Sequence, residues 1–449
     1  MFLLKSIPKV DKFIENEKFD DLSSSLIVSI TQEVLQNLRE NILNNSIESF
    51  AEEELVQTVL QKYKKLTKPS LQKLINGTGV IVHTNLGRSL IDEKAFDRVK
   101  DIVTGYNNLE YDLAKGKRGE RYSHISDVIC RVLGCEDVLI VNNNASAVFL
   151  ILNTFAKKKE VIVSRGELVE IGGSFRVPEV MKQSGAKLVE VGATNKTHLH
   201  DYKDAITKKT SMLMKVHKSN YSIEGFSSEV EFADIVKLAK EKNLIDYYDM
   251  GSGHLVDLPY GLDQHEPSVL KYMRHNPSLL SFSGDKLLGS VQAGIIVGKK
   301  EYIDKLKKNQ LLRMLRVDKL TLALLEESIT SVLLGKLDEV PTLKMLFTQV
   351  DELKDNALSL QNAISDICET EIIETRTVIG GGTTPNRTIP SIALTIKIKN
   401  YKQNKMEKLF RENKIIGRIE KDKFLLDFRA IQKNEIVQII NAVKEIANV

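Results

Sequence analysis

One lysine lies in a turn between two apolar runs, in the segment SFSGDKLLGSVQAGIIVG at residues 281–298. Lys286 follows Ser283, and Gly284 and Gly289 leave space around it. A lysine amine in this setting can bond to the aldehyde of pyridoxal phosphate (PLP), while a hydroxyl such as that of Ser283 holds the phosphate. Loop lysines are common and most are only solvated, so the rest of the chain must decide between these interpretations.

A polar turn in VNNNASAVFLIL (141–152) joins a strand-like run to a helical one. The N-terminus of a helix offers unpaired N–H groups and partial positive charge to a phosphate. We therefore predict that Asn144, Ala145 and Ser146 contact a phosphate. Taken alone, an ordinary Asn-rich turn that caps a helix explains the pattern better.

A carboxylate follows in DYYDMGSG (246–253), where a strand-like run ends at Asp249. A carboxylate there can pair with the pyridine nitrogen of PLP and keep it protonated, although an Asp that caps the next segment is about equally plausible. The order of phosphate turn, carboxylate and Lys286 is typical of the aminotransferase-like PLP enzymes. His217 follows another strand-like run and is either a cofactor or substrate contact or a hydrogen-bonded core histidine.

Two other kinds of site fit the sequence poorly. INGTGVIVHTNLG (75–87) has two close glycines but lacks the third glycine of a dinucleotide-binding fingerprint. His198 and His200 have no third ligand at a suitable spacing, and the three cysteines lack zinc-ligand spacing. We therefore expect neither a nicotinamide cofactor nor a metal.

The elements that must position these residues divide the chain into three predicted domains. Residues 1–70 have apolar residues at helical spacing and form a helical module, with Ser49 and Glu52 as a capping box for its second long helix. Residues 71–330 alternate strands and helices, which predicts an α/β domain with a mostly parallel sheet. Residues 331–449 predict a smaller α+β domain. The strands predicted for the central domain are 137–141, 161–164, 187–191, 211–216, 244–250, 279–283 and 293–298.

Bulk composition is that of a globular chain of 449 residues, with 42% hydrophobic and 28% charged residues. The formal net charge of +4 permits a polyanionic partner without requiring one. No signal peptide and no membrane-spanning run is recognisable. We therefore expect a cytoplasmic protein whose cysteines (130, 135 and 368) are buried thiols.

Several long segments closely resemble one family, the bacterial selenocysteine synthases, or L-seryl-tRNA(Sec) selenium transferases. The likeness covers nearly the whole chain. The matching segments include INGTGVIVHTNLGR (75–88), LEYDL (109–113), VNNNASAV (141–148), VSRGELVEIGGSFRVPEVM (163–181), LMKVHKSNYSIEGF (213–226), DMGSG (249–253), SFSGDKLLG (281–289) and LRMLRVDKLTLALLE (312–326).

The resemblance implies a PLP enzyme of the aminotransferase-like class (fold type I) that converts seryl-tRNA(Sec) to selenocysteinyl-tRNA(Sec) through dehydration to an aminoacrylyl intermediate and addition of selenium from selenophosphate. It implies Lys286 as the Schiff-base lysine and Asp249 as the partner of the pyridine nitrogen. It also implies that Arg88, Arg313 and Arg316 hold the donor's oxyanion. Arg313 and Arg316, three residues apart, would share a helix face, although without the resemblance a solvated basic face is the better explanation.

The family further implies a homo-oligomer, either a dimer or a ring of dimers, with tRNA and not DNA as its nucleic acid. By resemblance, residues 1–70 would recognise the tRNA, yet they hold nine Lys/Arg against eleven Asp/Glu. The family's usual Gly-Gly-Pro-Gln is here Gly289, Ser290, Val291 and Gln292, which loses a rigid proline but no reactive group. The alternatives are a related PLP lyase acting on a small amino compound and a tRNA-binding protein without catalysis.

Overall fold

The computed structural model describes residues 2–168, 170–171, 175–223, 225–266 and 268–447. Within it the chain forms two compact units, Met1–Lys73 and Leu74–Val449.

The first unit is helical. Its helices are α1 (Phe2–Lys5), α2 (Val10–Phe13), α3 (Ser24–Leu43) and α4 (Glu52–Thr67). Residues of α3 at helical spacing, including Ile27, Ile30 and Val34, are buried against Val56 and Val59 of α4. The predicted capping box is wrong: α4 starts one residue after Ala51, which makes no side-chain cap, and three glutamates in its first turn favour the helix dipole instead.

Among the described residues, every β-strand belongs to the second unit. Its strands are β1 (Ile75–Asn76), β2 (Tyr111–Asp112), β3 (Lys117–Arg118), β4 (Asp137–Val141), β5 (Glu160–Ser164), β6 (Glu170–Ile171), β7 (Phe175–Arg176), β8 (Lys187–Val191), β9 (Thr210–Val216), β10 (Ile245–Asp249), β11 (Leu279–Ser283), β12 (Gly294–Gly298), β13 (Glu369–Val378), β14 (Thr388–Lys397), β15 (Ile415–Ile416), β16 (Arg418–Glu420) and β17 (Lys423–Asp427).

Its helices cover the sheets. They are α5 (Glu93–Thr104), α6 (Ser123–Leu133), α7 (Asn144–Phe155), α8 (Val177–Ser184), α9 (Leu199–Asp204), α10 (Phe232–Lys242), α11 (Val269–Met273), α12 (Lys300–Lys308), α13 (Lys319–Leu333), α14 (Pro341–Phe347), α15 (Val350–Ile364), α16 (Gln403–Glu412) and α17 (Ile436–Ala447). Short 3₁₀ turns connect some of these elements.

The large sheet has the strand order β4-β12-β11-β10-β9-β5-β8. Its strands are parallel except β12, which runs antiparallel to both neighbours. Residues of β4, β11 and β12 are buried throughout, as expected for a sheet covered on both faces. The prediction of an α/β fold with a mostly parallel sheet is confirmed, and each strand predicted for the central domain is present with its ends shifted by at most one residue.

The small sheet is antiparallel, in the order β13-β14-β17-β16, and packs with α15, α16 and α17 around a separate apolar core. β1 pairs in parallel with β15, so the start of the second unit is joined to its C-terminal part. Among the described residues, no helix combines the length and apolar character needed to cross a bilayer. The expectation of three buried thiols is wrong for Cys130 and Cys135, which are half-buried, whereas Cys368 is buried.

Candidate functional site

The candidate site lies at the edge of the large sheet that is formed by the carboxyl ends of its parallel strands. There β9, β10 and β11 end at Val216, Asp249 and Ser283. Asp249 is in register with Val216 on one side and with Ser281 on the other. β4 ends at the same edge because two successive antiparallel pairings make it parallel to β11. The loops that follow these strands therefore meet, as in other open α/β sheets.

Lys286 is buried, with 6% of its surface exposed, in the turn after β11. Its Nζ donates to the carbonyl of Gly382 at 3.3 Å, and its own carbonyl accepts from Ser89 Oγ at 2.8 Å and from Gly289 N at 2.9 Å. Gly382 has a φ of +80°, and a Cβ at this position would lie 2.8 Å from Lys286 Nζ. The turn at residues 380–384 thus leaves room for the lysine amine.

Burial lowers the pKa of Lys286, and the nearby Arg88 guanidinium lowers it further. Three carboxylates, Asp249, Asp285 and Glu266, oppose this shift. Arg88 Nη1 donates to Asp285 Oδ2 at 2.7 Å, which holds the guanidinium beside the lysine turn. A larger fraction of the lysine amine is therefore neutral near physiological pH than for a lysine in water.

Asp249 is buried at the end of β10. Its Oδ1 accepts from Asn144 Nδ2 at 2.7 Å and from Gly251 N at 3.0 Å. Burial raises the pKa of this carboxyl, and the two donors only partly oppose the rise. A cationic partner would stabilise the ionised form.

The turn between β4 and α7 has its own cap. Asn143 Oδ1 accepts from Ser146 N at 2.9 Å. Asn144 is the first residue of α7 and its amide nitrogen is engaged by Asp249, while Ala145 and Ser146 lie in the first helical turn. A Cβ at Gly294 of β12 would overlap the carbonyl of Asn143, so glycine lets this turn lie against the sheet.

His217 directly follows β9. Its backbone N–H donates to the carbonyl of Asp249 at 2.9 Å, and its Nε2 lies 3.1 Å from Glu266 Oε2. The same Glu266 oxygen accepts from Thr384 N at 3.0 Å. The side chain of His217 is therefore tied to the segment that surrounds the lysine amine.

Buried polar atoms without a partner test whether these residues fit the cofactor. Within the described residues, five such atoms belong to residues around the site: Asn144 Oδ1, Ser219 Oγ, Ser252 Oγ, Ser290 Oγ and Thr384 Oγ1. Buried polar atoms are normally hydrogen-bonded, so atoms left unpaired point to a polar ligand. A reachable lysine amine, a buried carboxylate and these polar atoms fit PLP.

Arg313 and Arg316 do not share a helix, so that prediction is wrong. Arg313 ends a 3₁₀ turn (Gln310–Arg313) and is exposed, and Arg316 lies in the irregular stretch beyond it. Their segment runs beside the β4–α7 turn, because Asn142 Nδ2 donates to the carbonyl of Arg316 at 3.2 Å. The guanidinium of Arg316 faces Glu110 at 3.8 Å, whereas Arg88 is held beside Lys286.

Sequence reasoning missed Glu266, Asp285 and the contribution of the 380–384 turn. Asp285 was visible as the residue before Lys286, and the turn was visible only as a glycine-rich break. Glu266 lies in an irregular stretch without any motif, and only the tertiary structure brings it to His217.

Known proteins resemble this chain along its whole length. The family model described as L-seryl-tRNA selenium transferase matches residues 74–432. The L-seryl-tRNA(Sec) selenium transferases of Sulfurimonas denitrificans and Aliarcobacter butzleri are 82% and 64% identical, covering 100% and 99% of both chains.

A solved structure shares the fold. D-glucosaminate-6-phosphate ammonia-lyase aligns with a TM-score of 0.61 at 19% identity, over 86% of this chain and 98% of that chain. The matches to the family model and to full-length relatives confirm the resemblance drawn from the motifs. The chain is a member of the L-seryl-tRNA(Sec) selenium transferase family.

Proposed function

We propose that this chain replaces the seryl hydroxyl of seryl-tRNA(Sec) with selenium, using PLP as cofactor and selenophosphate as donor. Family membership supports the selenium transferase activity and the cofactor. The observation that carries the assignment of the site is the buried Lys286 amine, which lies at the same sheet edge as the buried Asp249 carboxylate.

Three groups would hold the cofactor. Lys286 Nζ would bond to its aldehyde, Asp249 would pair with its ring nitrogen, and the start of α7 with Ser283 would hold its phosphate. When bound, PLP supplies an electron sink that stabilises negative charge at the substrate α-carbon. The backbone N–H of His217 donates a hydrogen bond to the carbonyl of Asp249. The side chain of His217 would contact the cofactor ring or the seryl group.

Lys286 Nζ is the group that moves the proton. Because burial and Arg88 lower the pKa of this amine, its neutral form is favoured over that of a lysine in water, and the neutral amine can accept the α-proton of the seryl group. The same atom can return a proton to the α-carbon after selenium has added. The carbonyl of Gly382, 3.3 Å away, orients the amine when it is free.

Arg88 is the arginine best placed to bind the donor. Its side chain is about one-third exposed, and one of its nitrogens is paired with Asp285 in the lysine turn. The remaining N–H groups can therefore be offered to an oxyanion near Lys286. Arg313 and Arg316 would join it from the segment beside the β4–α7 turn. A homo-oligomer, either a dimer or a ring of dimers, would place segments from two copies around one site, as is usual in this class of enzyme.

The first unit would select the tRNA. Its Lys/Arg residues concentrate near its end, and Lys64 and Lys65 lie in the last turn of α4. There they could contact backbone phosphates even though residues 1–70 are not net basic. We expect the reaction to take place in the cytoplasm.

Single-turnover conversion of seryl-tRNA(Sec), with and without selenophosphate, tests this proposal beside a seryl-tRNA(Ser) control. We expect selenocysteinyl product only from seryl-tRNA(Sec) with donor, none from Lys286→Ala, and unchanged yield from the exposed control Lys271→Ala. Protein that carries PLP on Lys286 but acts on neither tRNA would favour the small-molecule lyase. Wild-type turnover by Lys286→Ala would overturn the role of the lysine.

A further inference from the structure

Glu266 is fully buried beside the site, with 1% of its surface exposed, although nothing in the reaction requires a carboxylate there. One of its oxygens, Oε2, accepts from His217 Nε2 at 3.1 Å and from Thr384 N at 3.0 Å. Its main chain is also held, because His254 Nε2 donates to the Glu266 carbonyl at 2.7 Å. The carboxylate therefore has a fixed position and two partners from different elements.

Each of these two partners is connected to one of the groups proposed to hold the cofactor, His217 to Asp249 and Thr384 to Lys286. His217 follows β9, and its backbone N–H donates to the carbonyl of Asp249. Thr384 belongs to the turn whose Gly382 carbonyl accepts from Lys286 Nζ. Thr384 has a φ of +39°, a conformation that a β-branched residue rarely adopts unless its surroundings hold it there.

We propose that Glu266 is a positioning residue, which holds His217 and the 380–384 turn at a fixed distance and so shapes the space between Asp249 and Lys286. The proposal rests on the proposed function only in taking PLP as the ligand of that space. Hydrogen bonds to an ionised carboxylate are stronger than neutral ones, so a single oxygen can hold both elements.

The contacts of Glu266 also set the orientation of His217. Because a carboxylate only accepts, the proton on the His217 ring must lie on Nε2, as in other carboxylate–imidazole pairs. A glutamine can place its single amide oxygen where Oε2 lies and keep both hydrogen bonds, but without the negative charge that strengthens them. Glu266→Gln should therefore loosen His217 and the turn less than Glu266→Ala does.

The test compares Glu266→Ala and Glu266→Gln with a matched control, Asp246→Ala. Asp246 is also buried and also accepts two hydrogen bonds, from Ser278 N and Oγ, but it lies at the opposite end of β10 from Asp249. The first readout is the Kd of the cofactor-free protein for PLP, followed by the visible absorbance of the bound cofactor. The second is the melting temperature.

We expect both alanine variants to lower the melting temperature, while only Glu266→Ala raises the Kd for PLP, by about tenfold or more, since two charge-assisted hydrogen bonds are lost. Glu266→Gln should show a smaller rise. A double-mutant cycle with His217→Ala should be non-additive, because Glu266 acts partly through that ring.

Wild-type PLP affinity in both Glu266 variants would overturn the proposal, as would equal changes in the Asp246 control. Strict additivity with His217→Ala would also count against it. Inactivity of the wild-type protein on seryl-tRNA(Sec) would instead refute the proposed function and would leave this comparison of cofactor affinities valid.

Discussion

Asn144 Nδ2 donates to Asp249 Oδ1 at 2.7 Å, joining the first residue of α7 to the last residue of β10. The turn that we propose for the phosphate and the carboxylate that we propose for the ring nitrogen are separate motifs in the sequence, and this hydrogen bond joins them directly. Since the phosphate and the pyridine nitrogen of PLP are a fixed distance apart, this hydrogen bond would keep the two proposed binding groups at a matching separation.

The substitution Asp249→Asn should weaken PLP binding without lowering the stability of the cofactor-free protein. Burial raises the pKa of the Asp249 carboxyl, so in cofactor-free protein its stabilising contribution is present at acid pH and is lost as pH rises through the raised pKa. The neutral amide avoids this loss and still accepts from Asn144 and Gly251. At pH 7 we expect the cofactor-free variant to melt no lower than wild type, while its Kd for PLP rises about tenfold or more.

Melting curves at pH 4.5 and 7, together with PLP titrations, provide the measurement. Asp246→Asn is the control, because Asp246 is also a buried carboxyl with a raised pKa but lies at the other end of β10. Wild-type PLP affinity in Asp249→Asn would contradict the pairing of this carboxylate with the ring nitrogen.

Gly382→Ala places a methyl group against Lys286 Nζ. Gly382 has a φ of +80°, and the new Cβ would lie 2.8 Å from Nζ. Gly335→Ala is the matched control, since Gly335 has a φ of +71° and a Cβ added there would have nothing within 4 Å. Both variants should lose about 1 kcal/mol of stability from the left-handed backbone.

Only Gly382→Ala should slow the bonding of Lys286 to PLP, and borohydride trapping followed by mass measurement of the Lys286 peptide would show this. Equal trapping in the two variants would mean that the 380–384 turn does not shape the lysine site.

The sequence predicts the sheet well because its strands are short apolar runs, and an apolar run such as β4 is specified by burial on both faces. Lys286, Asp249 and Asn144 were found because each lies at or just beyond the carboxyl end of such a strand, and these ends share one edge of a parallel sheet. Their pattern of contacts was not predictable. The bond from Asn144 to Asp249 joins residues 105 positions apart and has no local signal.

Prediction failed where local pattern and tertiary structure disagree. Arg313 and Arg316 have helical spacing, but the 3₁₀ turn ends at Arg313 and separates them. Ser49 and Glu52 match a capping box, yet α4 begins only at Glu52, so Ser49 lies outside the cap position. Glu266 was missed because a buried carboxylate in an irregular stretch resembles any solvated glutamate in the sequence.

Arg88→Gln should shift the titration of Lys286. The guanidinium lowers the pKa of the lysine, so its removal should raise that pKa and move the rise in amine reactivity to higher pH. The pH dependence of reductive methylation of Lys286 in cofactor-free protein, followed by peptide mass, measures the shift. The KM for selenophosphate should also rise while that for seryl-tRNA(Sec) changes little.

Arg98→Gln is the control for Arg88→Gln, since Arg98 has a similar exposure and is paired with Glu327 and Glu339. An unchanged methylation profile in Arg88→Gln would refute the electrostatic effect, and an unchanged KM for selenophosphate would refute the role in donor binding.

Deletion of residues 1–73 should abolish discrimination between seryl-tRNA(Sec) and seryl-tRNA(Ser) and leave PLP bound, because the residues assigned to the cofactor all lie in the second unit. The deletion ends at the boundary between the two compact units, because a shorter deletion that ends inside α4 (Glu52–Thr67) would divide that helix. Binding of both tRNAs at one fixed salt concentration measures the effect, since phosphate contacts are salt-dependent.

A milder variant separates lost contacts from a lost domain. Lys64→Glu with Lys65→Glu changes two exposed charges in the last turn of α4 and keeps the buried residues of the helix, such as Val56 and Val59. Charge reversal should weaken binding of both tRNAs and reduce the salt dependence, because phosphate contacts carry no sequence information. Full discrimination after deletion of residues 1–73 would instead place tRNA selection in the second unit.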